Sequence, residues 1–148
     1  MPICVRPPDR SEKSMWLPLW KAYLAFYACA LSDDVTDATW ERFHEDLPRM
    51  NILAVYENEQ MLGFVTYILH ESTWAIRPYC YLEDLFVDPR HRSKGLARKL
   101  IEAVAGAAKS ARCERVYWVT RESNKTAQLL YNKVAKQTDF IQYRMEIG

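Results

Sequence analysis

The chain has 148 residues, 49% of them hydrophobic and 26% charged, which suits one globular domain with a sizeable core and excludes a disordered chain. Lys and Arg number 20 against 19 Asp and Glu, for a formal charge of +1. No global field then favours nucleic acid or an anionic membrane, and any electrostatic function must be local.

The four cysteines (Cys4, Cys29, Cys80 and Cys113) form no Cys-x-x-Cys pair, and no His stands at zinc-ligand spacing. No metal is expected, and free thiols fit a reducing, cytoplasmic compartment. The N-terminus lacks the basic flank and long apolar run of a signal peptide, and no stretch approaches the ~18 apolar residues that span a bilayer.

In chain order, Ile3 to Arg6 is a short β-branched run stopped by Pro7-Pro8. Ser11 is a candidate cap for a helix whose Trp16, Trp20, Tyr23, Leu24 and Tyr27 share one face, a stripe that reads as core. Pro18 argues for a late start or a kink. A second helix is expected over 37–47, ended by Pro48. Two β-rich runs, 52–56 and 61–69, flank the polar Glu57-Asn58-Glu59-Gln60 and read as an antiparallel hairpin. Tyr79 to Val87 is a strand stopped by Asp88-Pro89. A helix over 94–111 aligns Leu96, Leu100, Ile101, Val104 and Ala108. A strand over 115–120, a helix over 124–134 and a last strand over 140–147 complete one domain, 1–148. The expected class is α/β (α+β): a mixed, mostly antiparallel central sheet with helices on both faces, in the order β-α-α-β-β-β-α-β-α-β.

The sharpest local pattern is Asp88-Pro89-Arg90-His91-Arg92-Ser93-Lys94-Gly95-Leu96-Ala97-Arg98, a strand end running through a basic turn into a long helix. Backbone N–H groups at a helix N-terminus, with the helix dipole, make an anion site. Arg90, Arg92, Lys94, Arg98 and Lys99 crowd positive charge where the dipole is already positive, which disfavours the helix unless an anion is bound. The turn is neither a Walker loop nor a dinucleotide Gly-x-Gly-x-x-Gly. On local physics alone it reads equally as an anion site or as a solvated basic loop.

Arg92-x-x-Gly95-x-Ala97 resembles the pyrophosphate-binding [Arg/Gln]-x-x-Gly-x-[Gly/Ala] turn of the GNAT superfamily of N-acetyltransferases. The resemblance extends along the chain and is best from about Gly63 to Tyr131. Tyr81-Leu82-Glu83-Asp84, then Tyr117-Trp118-Val119-Thr120, Asn124 and Tyr131, look like the diamine (spermidine/spermine) acetyltransferase and histone-acetyltransferase-like branch. The resemblance implies acetyl-CoA as cosubstrate, a primary amine as acceptor and direct attack in a ternary complex. It implies that Arg92, Ser93, Lys94, Gly95, Leu96, Ala97 and Arg98 hold the pyrophosphate. Leu85, Phe86 and Val87 would hold the pantetheine arm and thioester, with a backbone N–H near Leu85 or Phe86 as oxyanion donor. Asn124 would sit on the cofactor side.

By the same resemblance Tyr131 is the general acid for the departing thiolate; a phenol with a pKa near ~10 stays protonated at neutral pH. Periodicity alone would make Tyr131 core. Glu83 is the candidate base, acting through water, or else a structural or substrate-orienting anion. In a regular strand Asp84 faces the other way, so the two carboxylates form no close pair unless a bulge changes the phase. Trp74, Arg77 and Tyr79 line the acceptor or simply pack the loop. His91 belongs to the basic turn, and His44 and His70 have no companions.

The chain departs from the family pattern after Tyr131, where Asn132-Lys133-Val134-Ala135 replaces the Leu-Gly-Phe-like turn of many relatives. The terminal hairpin is therefore expected to shrink, which bears on the acceptor wall and on a homodimer contact made by the last strand. A polyamine or amino-acid-like amine is favoured over protein lysine. The Asp33-Asp34 and Asp37 acids are read either as a cation attractant or as solvated loop residues. The alternative function is an acyl-CoA-binding sensor without transferase activity.

Overall fold

The computed structural model describes residues 2–148. Strand β1 (Ile3–Arg6) pairs with β2 (Met50–Glu57), β2 with β3 (Gln60–His70) and β3 with β4 (Tyr79–Val87), all antiparallel. β5 (Arg115–Tyr117) then adds in parallel to β4, giving the order β1-β2-β3-β4-β5. The β2–β3 hairpin turns on Asn58, left-handed at φ 56°, a conformation that asparagine tolerates better than most residues.

Side chains alternate across the sheet into two cores. Ala54, Tyr56, Phe64 and Phe86 face α1 (Lys13–Phe26) and α2 (Asp33–Arg42), where Trp16 stacks between Trp20 and Trp40 at 5.2 and 5.0 Å. Val55, Leu62, Val65, Cys80, Leu82 and Val87 face α3 (Leu96–Ser110), whose Leu96, Leu100, Ile101, Val104 and Ala108 form the expected buried stripe. α4 (Lys125–Val134) leans on this second core through Leu130, Tyr131 and Val134. Gly63 faces Val87, and a Cβ there would lie 2.6 Å from the Phe86 carbonyl oxygen. Gly63→Ala is expected to push the two strands apart and cost at least ~1–3 kcal/mol, read as a lower urea midpoint.

Several boundaries differ from those expected. Asp9, not Ser11, opens the first helical segment, in a capping box with Glu12 over a single 3-10 turn. α1 runs unbroken through Pro18, its register held by the buried Trp16, Leu19 and Trp20. α2 spans Asp33–Arg42 rather than 37–47: Ser32 accepts from the Val35 N–H at 3.4 Å to start it, and it closes at Phe43, well before Pro48. Asp33 and Asp34 are therefore first-turn acids that the helix dipole favours, and Asp37 pairs with Lys13 at 2.7 Å.

β5 stops at Tyr117, and α4 ends at Val134 without a glycine. The last strand expected over 140–147 is not formed. Phe140, Ile141, Tyr143, Met145 and Ile147 have the alternation of a strand, yet each is 75–89% exposed. Alternation makes a strand only against a partner edge, and none of the described strands pairs with this segment. All four cysteines are free, as expected. Among the described residues no helix is long and apolar enough to cross a membrane, and no His, Cys, Asp and Glu cluster could hold a metal.

Arg6 grips Glu12 through two hydrogen bonds of 2.9 and 3.0 Å, and the Tyr56 hydroxyl donates to the same carboxylate at 3.0 Å. The Arg6 bonds lower the Glu12 pKa from 4.5 to about 2. Stability from this carboxylate is complete above its unfolded pKa and is lost as pH falls from 4.5 toward 2. Glu12→Gln should remove ~1–2 kcal/mol at pH 7, after discounting for the exposure of Arg6, and flatten acid unfolding in that window.

Candidate active site

β4 and β5 pair only at Tyr79↔Arg115, Cys80↔Val116 and Tyr81↔Tyr117. β4 continues to Val87 with β3 on one side and no strand on the other, while the chain after Tyr117 leaves the sheet. The strands therefore part into a gap. Leu85 and Val87 turn their side chains into the α3 core and Phe86 into the α1 core, so what these residues present to the gap is backbone. On the far side, Trp118 packs edge-on against Tyr131 at 5.4 Å, and the Thr120 hydroxyl is buried without a partner. An unpaired strand edge, and an orphaned buried hydroxyl on the segment that leaves the sheet, suit a ligand rich in amide and carbonyl groups.

At the end of β4, Asp88 caps a 3-10 turn over Pro89–His91 and pairs with Arg90 at 2.8 Å, which holds its carboxyl below the usual range. The Arg92 Nε donates to the Val87 carbonyl at 3.2 Å, with the guanidinium carbon 5.5 Å from the Phe86 ring centroid. Ser93 (φ 70°) and Gly95 (φ 73°) are both left-handed. For serine this is an uncommon conformation that needs support from its surroundings. Gly95 is the N-cap of α3 and has no side-chain capping bond, and the first turn holds no acid. The N–H groups of Leu96, Ala97 and Arg98 are thus left for an outside acceptor. A Cβ at Gly95 would meet nothing within 4 Å, so the turn is open in front of these amides. Arg98 lies 3.4 Å from Glu102, and the Lys94 ammonium 3.1 Å from the His91 ring. The turn thus offers uncapped amides and cations of the kind that receive an anion.

β4 carries a bulge. Tyr67 pairs with Leu82 and Thr66 with Asp84, leaving Glu83 as the extra residue. Both Leu82 and Leu85 consequently face α3, and Asp84 faces α1 beside Glu83 rather than away from it. The placement expected for a regular strand is corrected by this one inserted residue. The Tyr23 hydroxyl donates to Asp84 at 2.6 Å and the Thr66 hydroxyl at 2.5 Å, while the Asp84 N–H donates to Thr66 at 3.1 Å. Glu83 reaches solvent; partial burial and then the Asp84 charge raise its pKa. Burial raises the Asp84 pKa as well, against the two hydroxyls that lower it.

Tyr131 is half-buried on α4 facing Trp118, and burial, with Tyr27 nearby, pushes its phenol up to about 12. It therefore keeps its proton across the physiological range. Asn124 is the N-cap of α4, accepting from the Ala127 N–H at 3.4 Å, two turns before Tyr131.

The other sequence candidates stand outside this arrangement. Trp74 is 73% exposed and touches Phe140 edge-on, Arg77 pairs with Glu114, and Tyr79 is buried under Arg115. His44 stacks on Trp40, and the His70 ring bonds the Tyr117 hydroxyl at 2.6 Å. Tyr23, Thr66 and Thr120 were not foreseen as site residues. The only sequence signal was a hydroxyl in an otherwise apolar stripe or strand.

Comparison with known proteins gives a consistent picture. The model of the Acetyltransferase (GNAT) family matches residues 16–135. The chain is 35% identical over 144 residues to the D-amino-acid N-acetyltransferase HPA3 of Saccharomyces cerevisiae, covering 96% of this chain and 89% of that one. It is 31% identical over 106 residues to a thialysine N-epsilon-acetyltransferase of Caenorhabditis elegans, covering 61% of this chain and 66% of that one. Among solved structures, AAC(6')-Iy in complex with a bisubstrate analogue superposes with a TM-score of 0.85 at 19% identity, over 100% of both chains. A ribosomal-protein-alanine N-acetyltransferase from Brucella melitensis gives 0.79 at 18% identity, over 99% of this chain and 100% of that one. At such identities the last two speak for the fold alone.

Proposed function

The chain belongs to the acetyltransferase (GNAT) family and is an acetyl-CoA-dependent N-acetyltransferase, and from that premise we propose that its acceptor is a small amino-acid-like or polyamine primary amine, acetylated by direct attack in a ternary complex. The observation that carries the reading is the gap where β4 runs on past the end of β5, with the open turn at Gly95 following β4. The D-amino-acid and thialysine acceptors in the names of the two relatives favour a small amine over protein lysine.

In this reading the amides of Leu96, Ala97 and Arg98, with Arg92, Ser93 and Lys94, take the pyrophosphate of acetyl-CoA. The free edge of β4 at Leu85, Phe86 and Val87 takes the pantetheine arm, and Asn124 and Thr120 complete that side. Holding both substrates in one gap supplies orientation. Glu83 accepts the ammonium proton through a water, and the freed nitrogen lone pair attacks the thioester carbon. A β4 N–H near Leu85 or Phe86 donates to the oxyanion. As the tetrahedral intermediate collapses the C–S bond breaks, and Tyr131 gives its proton to the leaving sulfur. The attacking nitrogen, cationic in that intermediate, loses its second proton through water to the Tyr131 phenolate, which leaves a neutral amide and restores the acid. A cytoplasmic homodimer belongs to the same reading, since the exposed alternation of Ile141, Tyr143, Met145 and Ile147 is suited to a second copy. Light scattering at micromolar protein tests the dimer, and a monomer mass would count against it.

Free-thiol release from acetyl-CoA, measured against D-amino acids, thialysine, polyamines and a lysine-containing peptide, tests the acceptor. The highest kcat/KM is expected for a free amino acid or polyamine. A peptide lysine that outruns them by tenfold would overturn the proposed substrate class.

A further inference from the structure

Asp84 is a partly buried carboxylate whose side-chain partners are neutral: the Tyr23 hydroxyl from α1 and the Thr66 hydroxyl from β3, with no cation bonded to it among the described residues. Withdrawing a carboxylate from water is costly unless hydrogen bonds compensate it, and here two hydroxyls do so. The β4 bulge sets it on the same side as Glu83, the next residue. Across from this pair stand Tyr23 on α1 and Tyr81 on β4, both of which feel the two carboxylates; Arg144 of the C-terminal segment acts on Tyr81. Tyr27 lies one turn beyond Tyr23 and packs edge-on against it at 5.2 Å. None of these groups neutralises Asp84.

We propose that Asp84 is a positioning residue: pinned by Tyr23 and Thr66 at the bulge, it holds a fixed negative charge beside Glu83 and so strengthens Glu83 as a proton acceptor. The inference rests on the reading of Glu83 as the base, and it gives α1 a part in the chemistry through Tyr23. Two neighbouring carboxylates hold their protons unequally, because the second ionisation must be made against the charge of the first. The two hydroxyl donors favour the ionised form of Asp84, working against the burial that raises its pKa. Glu83, nearer solvent, is the member left to exchange protons with an incoming ammonium.

Asp84→Asn keeps the size of the side chain and retains groups that can bond Tyr23 and Thr66, so the bulge should survive. Two readouts separate the possibilities. The first is an NMR titration of the glutamate side-chain carboxyl carbons in the substrate-free protein, with the Glu83 signal identified by its loss in Glu83→Gln. The second is the acid limb of kcat/KM for the amine. In Asp84→Asn the Glu83 midpoint is expected to fall by about one pH unit. The acid limb should fall with it, and kcat on the alkaline plateau should drop because the base is weaker. A Glu83 midpoint unmoved in a folded Asp84→Asn protein overturns the inference. A midpoint that falls while the acid limb stays fixed supports the charge coupling and overturns Glu83 as the base. Tyr23→Phe, which removes one donor and leaves the Asp84 carboxylate in place, checks the clamp. It should shift the Glu83 titration, and an unchanged curve would count against a role for Tyr23.

Discussion

Tyr131→Phe should lower kcat by about 10²–10⁴-fold and leave acetyl-CoA binding unchanged, because it removes one proton donor and no packing surface. The ring is half-buried against Trp118 and would stay there in the variant. The lost hydroxyl is the only part of the side chain asked to act on the leaving sulfur. Burial, which pushes its pKa up to about 12, keeps it protonated through the neutral and mildly alkaline range, so no alkaline fall in rate below pH 10 should trace to this group. Binding of CoA by calorimetry and amine-dependent thiol release, measured on the same preparation, give the two readouts. Unchanged turnover would leave Tyr131 as a core residue of α4 and nothing more.

Gly95→Val acts on the other half of the site. Gly95 stands at φ 73° with open space in front of it, so the glycine is required by backbone conformation and not by crowding. Holding a β-branched residue left-handed costs at least ~1–2 kcal/mol. The turn would relax toward extended backbone and swing the amides of Leu96 and Ala97 away from a common point. The expected result is a rise in the acetyl-CoA Kd of about 5–30-fold, at ~1.4 kcal/mol per decade. The amine KM should hardly change. The penalty should shrink as salt is raised, since phosphate held by dipoles and exposed cations is screened. An equal loss for both substrates would point instead to general unfolding.

Most of the fold was legible because its signals are local. The bounds of β4 follow from Pro78 and Asp88-Pro89, and the α3 stripe from spacings of three and four. α2 lies earlier than Pro48 suggests, because Ser32 with two acids behind it caps its start and the helix closes at Phe43 without any proline. The segment over 140–147 has the period of a strand, but period cannot say whether a partner edge exists. The cofactor turn was legible as a strand, a basic turn and a helix in the right order. What counting by twos could not reveal was the bulge at Glu83, which turns two carboxylates from opposite faces into neighbours. Tyr23 and Thr66 were invisible for a related reason, since the destination of a hydroxyl is set by tertiary packing.

The most direct test of the account is a rapid-mix measurement of thiol release from acetyl-CoA, with and without a saturating primary amine. The gap and its acid and base predict no thiol without amine, and with amine one thiol per acetylated nitrogen from the first turnover. A stoichiometric thiol burst without amine would mean an acetylated enzyme, and tight acetyl-CoA binding with no release for any amine would mean a sensor; either would contradict direct transfer.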